Sequence, residues 1–211
     1  MGIYSKYILP RAIDWACRNG NSQEQREKVI PLAWGNVLEI GIGAGHSLPL
    51  YDKSKVNHLT AIDPLEKLWK KRKTDLADLE FEVEYIRGTA DHIPAGDSTY
   101  DSVVVTYTLC SIRHIDRTLQ EVHRVLKPGG KLVFSEHGLA PDRGLRIWQN
   151  LINPLWKRIG GGCHLNRDVP AILERNGFSP DNLQTGYFPG WGPTSYLYWG
   201  SASRINECSH E

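Results

Sequence analysis

The chain has 211 residues, 40% of them apolar and 23% charged, and a formal net charge of +1. A chain of that size buries roughly 70% of the surface its unfolded form exposes, enough for one ordinary domain. A near-zero charge offers no basic face to a nucleic acid, no apolar run reaches the ~18 residues of a membrane span, and the scattered cysteines Cys17, Cys110, Cys163 and Cys208 form no CxxC pair, so neither a metal site nor a redox dithiol is expected.

Tyr4, Tyr7, Ile8, Ala12 and Trp15 follow a helical spacing, with Pro10 breaking it or starting a fresh helix and Gly20 ending it. A charged helix over 22–33 comes next, Ser22 and Gln25 being spaced as a capping box. The pattern then changes to short β-rich runs, "NVLEIG", "HLTAID", "FEVEYIRG", "DSVVVTYT" and "KLVFSEH". Helical patterns, "PLEKLWKKRK" and "DRTLQEVHRVL", lie between several of them. The basic run 67–73 within the first pattern reads as the wet side of a helix. Strands alternating with helices predict a parallel sheet covered on both faces, and Val103-Val104-Val105 predicts a central strand. Leu145, Trp148, Ile152, Leu155 and Ile159 fall on one helical stripe interrupted by Pro154. A helix over 168–178 capped by Gly177 and two closing strands, "LQTGYF" and "SYLYWGSAS", complete the chain. One domain is expected: an N-terminal helical cap (1–34), a core (35–138), and closing helices and strands (139–211).

The stretch "VLEIGIGAG" runs a strand into Gly41, Gly43 and Gly45. The dinucleotide fingerprint wants a third glycine where His46 stands, so the fit to NAD is poor. Such a turn suits a ligand with an amino-acid tail and no phosphate, or it is only a tight connection. Asp63 ends the next strand, where a carboxylate accepts ribose hydroxyls or caps the helix beginning near Pro64.

Together with "VLEIGIGAG" and "AIDP", the block "GTADHIPAGDSTYDSVVVTYTLCSI" followed by "RVLKPGGKLVF" resembles a class I S-adenosylmethionine-dependent methyltransferase, most similar to the group of the ubiquinone-biosynthesis C-methyltransferases. The later part, with Glu136-His137 and Gly162-Cys163-His164, resembles the methyltransferase-like thiol methyltransferases, whose animal members are membrane-associated. The resemblance implies a Rossmann-like α/β fold: a seven-stranded, mostly parallel sheet with an antiparallel last strand, helices on both faces and the N-terminal cap. It implies S-adenosylmethionine as cofactor and S-adenosylhomocysteine as product. It assigns the methionine amine to Glu39, close backbone approach to Gly41, Gly43 and Gly45, the ribose to Asp63, and adenine packing to Pro64. The adenine amino group falls to Ala90 and Asp91, and the space beside the sulfonium to Thr106 and Leu109.

A hydroxyl acceptor would need a base, whereas a thiol with a pKa near 8.5 would need less help. The candidate bases are His46, opening the helix after the glycine loop, His137, ending the fifth strand, and His164, in "GGGCH". Each also reads as a structural histidine. Cys110 and Cys163 have no paired base in sequence and read as small buried apolar groups. The expected acceptor is a small or lipid-like apolar molecule (thiol, quinol, phenol or amine), in a pocket capped by the N-terminal aromatics (Tyr4, Tyr7, with Ile8) and the Trp148–Trp156 helix, aromatics that read equally as plain core. The expected protein is cytoplasmic, a monomer or homodimer, with peripheral membrane contact open. A non-catalytic cofactor-binding module and an NAD-type oxidoreductase are the alternative readings.

Overall fold

The computed structural model describes residues 20–189 and 192–205; the aromatic segment 4–15, Cys17 and Cys208 lie outside them. Among the described residues the first element is helix α1 (Gly20–Val29), which includes Gly20; the helix that Gly20 was expected to end lies outside them. Pro31 lacks the N–H that a continuing helix needs, and α1 gives way to a 3-10 turn over Ile30–Leu32.

Seven strands form one sheet in the order β3-β2-β1-β4-β5-β7-β6. They are β1 (Gly35–Ile40), β2 (Val56–Asp63), β3 (Glu82–Arg87), β4 (Tyr100–Thr106), β5 (Leu126–His137), β6 (Phe178–Tyr187) and β7 (Tyr196–Arg204). Strands β1 to β5 pair in parallel, and β7 inserts antiparallel between β5 and β6. Val103, Val104 and Val105 have no exposed surface. Alternation along β4 sends Val103 and Val105 into the core under α3 (Ile115–Val125) and α5 (Val169–Arg175), and Val104 into the opposite core. Both faces of the sheet are therefore covered, as a near-continuous apolar strand requires. The Pro128-Gly129-Gly130 segment is absorbed into β5 as an irregularity, between the pairs Tyr100–Leu126 and Ser102–Lys131. In α5, Asp168 accepts from the Ala171 N–H, and the helix ends at Asn176 before Gly177 in a left-handed conformation.

Three expectations need correction. No α-helix follows the glycine loop: residues 43–47 are turns, and a 3-10 turn spans Leu48–Leu50, with Pro49 inside it. His46 thus sits in a turn, not at a helix start. The helix over 64–73 shrinks to α2 (Glu66–Trp69), after which the Lys71 and Arg72 N–H groups bond three residues back, to Leu68 and Trp69; both of these are buried, with Trp69 stacked on Tyr85 at 5.0 Å and Arg72 lying 4.6 Å over the Trp69 ring. Helix α4 (Arg143–Ile159) runs through Pro154 without a break. Its inward face carries Gln149 and Asn153, while Trp148 (60% exposed), Leu151 (69%) and Leu155 (63%) face outward, so the aromatic Trp148 is not core.

Candidate active site

The sheet order reverses between β1 and β4, the point at which open α/β sheets leave a crevice beyond their carboxyl ends. A cavity of about 460 Å³ lies there, within the range of roughly 300–1,000 Å³ common for small-molecule sites. Its wall includes Glu39 from β1, the loop 40–44, Asp63 and Pro64 after β2, Thr89 to Asp91 after β3, and Thr106 to Thr108 after β4. His46 and Ser111 line it as well.

The glycine loop is held open by its own geometry. Gly41 has φ of +79°, and a Cβ there would stand 2.2 Å from Thr108 Oγ1; an L side chain is strained in that region and has no room. At Gly43 an added Cβ would meet only the Gly41 carbonyl at 4.0 Å, so the backbone there faces open space.

Two carboxylates converge on this loop. Glu39 is buried and accepts from Ser47 Oγ at 2.6 and 2.7 Å and from the Tyr51 hydroxyl at 2.8 Å. Burial nevertheless pushes its carboxyl up to about 7, with Ser47, Tyr51 and Arg26 pulling the other way. Asp63 Oδ2 accepts from the Gly43 N–H at 2.9 Å and Oδ1 from the Leu65 N–H at 2.6 Å. Burial raises its carboxyl too, against those two hydrogen bonds. Asp63 therefore ties the glycine loop to the start of the 64–69 turn; it is not the N-cap of α2, which is Leu65, a residue whose own side chain makes no capping hydrogen bond. A carboxylate offers about four lone-pair sites, which leaves capacity on both oxygens.

Ala90 is buried in the cavity wall, and Asp91 is half-buried beside it, its carboxyl held down by the Thr89 hydroxyl. Thr106 is buried in the wall, and its carbonyl accepts from Thr108 Oγ1 at 3.0 Å. Leu109 is not on that wall: its side chain joins the main core, and its N–H donates to Glu136 Oε1 at 2.8 Å. Tyr107, at φ +53°, turns the chain so that the N–H groups of Thr108, Leu109 and Cys110 all point at the Glu136 carboxylate. Buried Glu136 is pushed up to about 8, first by desolvation, with the Thr108 and Leu109 N–H groups opposing.

The three histidines separate. His46 lines the cavity. His137 and His164 do not. His137 Nε2 lies 2.8 Å from Cys163 Sγ, and Cys110 joins them, the three ligand atoms lying within 4.8 Å of one another. The cysteines read from sequence as inert apolar groups thus have an imidazole beside them. His164 donates its backbone N–H to the Cys110 carbonyl, and its ring is held down by burial, with Arg167 and Lys157 adding to that. Sequence reasoning also missed Ser47 and Tyr51, which hold Glu39, and Arg26, which lines the cavity 5.2 Å over the Tyr107 ring.

The family described as Methyltransferase domain matches residues 38–134, the segment that builds most of this cavity. The chain carries a class I S-adenosylmethionine-dependent methyltransferase domain. It is 36% identical over 166 residues to thiol S-methyltransferase TMT1B of Rattus norvegicus, covering 77% of this chain and 65% of that protein. It is 29% identical to demethylmenaquinone methyltransferase of Paenarthrobacter aurescens, covering 69% of this chain and 51% of that protein. The chain thus spans less than two thirds of the length of these curated relatives. Among solved structures, a SAM-dependent methyltransferase from Methanosarcina mazei superposes with a TM-score of 0.64 at 22% identity, covering 81% of this chain and 92% of that one. The fold is that of the class I methyltransferases, and the family implies use of S-adenosylmethionine.

The residues present fit that cofactor. A ligand ammonium would relieve the charge that burial makes costly at Glu39. The bare backbone at Gly43 leaves space for the nucleoside, and Asp63 retains acceptor capacity for hydroxyls. Among the described residues no helix is long and apolar enough to cross a membrane.

Proposed function

We propose that this protein methylates a small, apolar thiol. The observation that carries the donor half is the convergence of Glu39 and Asp63, on neighbouring strand ends, on one cavity whose floor is glycine backbone. Glu39 holds the amino end of S-adenosylmethionine, Asp63 the ribose hydroxyls, and Pro64, Ala90 and Asp91 the adenine. Thr106 and Thr108 stand beside the reacting centre. Bound there, the cofactor supplies a methyl carbon already activated by its sulfonium. The chain's own task is alignment and exclusion of water, which can be worth roughly 7–11 kcal/mol.

The acceptor half is supported by the relatives named thiol S-methyltransferases, which share 36–38% identity with this chain in the rat and mouse proteins. It is also supported by chemistry: a thiol near pKa 8.5 reacts without a strong base, and His137 and His164, two of the three candidate bases, lie off the cavity wall. The demethylmenaquinone methyltransferase relative favours a quinol as second reading.

Incubation with labelled S-adenosylmethionine and a panel of thiols, phenols, quinols and amines tests both. We expect the label in thioether product from apolar thiols. Label confined to quinols would replace the first reading by the second; label only in charged polar molecules would reject both.

A further inference from the structure

We propose that Cys110, His137 and Cys163 bind one Zn(II) ion, and that its fourth position takes the sulfur of the acceptor as a thiolate. The second half rests on the thiol reading above; the first stands without it.

The three side chains arrive from separate parts of the fold: Cys110 from the loop after β4, His137 from the end of β5, and Cys163 from the turn between α4 and α5. Both cysteines are buried and free. Their ligand atoms and the His137 nitrogen lie within 4.8 Å of one another. Zn–S and Zn–N bonds of ~2.3 and ~2.0 Å at tetrahedral angles separate ligand atoms by roughly 3.5–3.8 Å, so the cluster needs only small movements to close on an ion. The His137 Nε2–Cys163 Sγ pair, now at 2.8 Å, has to open by under about 1 Å to admit it.

The donor set selects the metal. Two thiolates and one imidazole favour a thiophilic ion and offer nothing to magnesium or calcium. Two thiolates also cancel the charge of a divalent cation, so the assembled site is neutral in a buried setting. The surroundings act on the ligands: the Trp156 indole N–H donates to Cys163 Sγ at 3.2 Å, and Ser111 Oγ lies 3.4 Å from Cys110 Sγ. Such contacts orient metal ligands and tune them.

Three protein ligands leave one position for an outside ligand, the arrangement of catalytic rather than structural zinc. None of the three ligands lines the cavity itself, but Ser111, whose Oγ lies 3.4 Å from Cys110 Sγ, and Gly161, two residues before Cys163, do, so the cluster adjoins the cavity wall. With the ion in place, an acceptor thiol reaching its fourth position from that cavity would replace a bound water, give its S–H proton to solvent, and form the Zn–S bond. The added negative charge is met by Arg167, whose guanidinium donates to the Leu109 and Ile112 carbonyls on either side of Cys110.

The test uses the purified chain, reduced with a phosphine, stripped of metal and titrated with Co(II) as an optical stand-in for zinc. We expect one equivalent to bind, with thiolate-to-cobalt charge-transfer absorption and the intense visible bands of a four-coordinate ion, all lost on adding Zn(II). Cys110→Ser and Cys163→Ser should each lower the charge-transfer intensity by about half, and His137→Gln should weaken binding at least tenfold. Circular dichroism identifies any variant that has lost its fold, and the remaining substitutions then carry the comparison. Phenylmethanethiol added without cofactor should raise the charge-transfer intensity again. Absence of the band in the reduced wild type, or an unchanged band in folded cysteine variants, overturns the metal site. A band that ignores the added thiol overturns acceptor coordination. If the band is absent while thiols are still methylated, only this inference falls; if the metal binds and no thiol is methylated, the functional reading falls and the metal site remains.

Discussion

Replacing Glu39 with glutamine is expected to stabilise the folded protein at pH 8 while weakening S-adenosylmethionine binding by tenfold or more. The carboxyl is raised from 4.5 to about 7 in the folded state by burial. A group raised in this way binds its proton more tightly folded than unfolded. Its favourable contribution is complete below pH 4.5 and is lost as the pH rises through about 7. Above that pH the wild type carries a buried carboxylate at a cost of up to about 3 kcal/mol, which a neutral amide does not incur. Glutamine keeps one acceptor oxygen for Ser47 or Tyr51. For a chain of this length each kcal/mol moves the melting temperature by about 2–4 °C. The variant should therefore melt several degrees above wild type at pH 8, with the gap closing towards pH 5. Equal gaps at the two pH values would refute the buried charge. Calorimetric titration reads the other half: loss of a charged partner for the ligand amine is worth about 1.5–3 kcal/mol, at least tenfold in affinity. A site that stabilises the fold when neutralised and fails to bind is what a functional carboxylate predicts.

Asp63→Ala is the second large effect. In the wild type this side chain accepts from the Gly43 and Leu65 N–H groups, so it positions the glycine loop before any ligand arrives. Alanine leaves two N–H groups without their acceptor, each costing about 1–3 kcal/mol where water cannot reach. It also removes the acceptor for the ribose hydroxyls. We expect a lower melting temperature and at least a tenfold loss of affinity for S-adenosylhomocysteine. Unchanged calorimetric affinity would remove Asp63 from the site, whatever happens to stability.

Much of this arrangement was legible because the chemistry is local in sequence. The strand-to-glycine junction at 37–45 and the acid ending β2 are written in adjacent residues, and they meet because β1 and β2 are parallel neighbours. Val103 to Val105 announced a strand buried on both faces. The short turns were harder. A helix after the glycine loop was expected from the usual strand–turn–helix order, but Pro49 and consecutive turns leave only 3-10 geometry. In α4 the apolar stripe misled, since periodicity assumes that polar residues face water. Here Gln149 turns inward to accept from the Ala140 N–H and donate to the Gly138 carbonyl, and Asn153 accepts from the Leu165 N–H. The buried polar side chains serve backbone groups of neighbouring loops that no helical wheel contains. The Cys110–His137–Cys163 cluster was illegible for a related reason. Its members lie 27 and 26 residues apart, and only the pairing of β4 with β5 and the fold-back of α4 bring them together. Ser47 and Tyr51 carry no motif; they become visible as partners of Glu39 only once the loop is folded.

A crystal structure of the protein with S-adenosylhomocysteine tests the central claim most directly. The ligand should lie over the Gly41–Ala44 backbone, with its ribose hydroxyls on Asp63 and its amino group towards Glu39. Density for the ligand elsewhere, or a cavity that stays empty at saturating ligand while Glu39 and Asp63 keep only their internal partners, would contradict it.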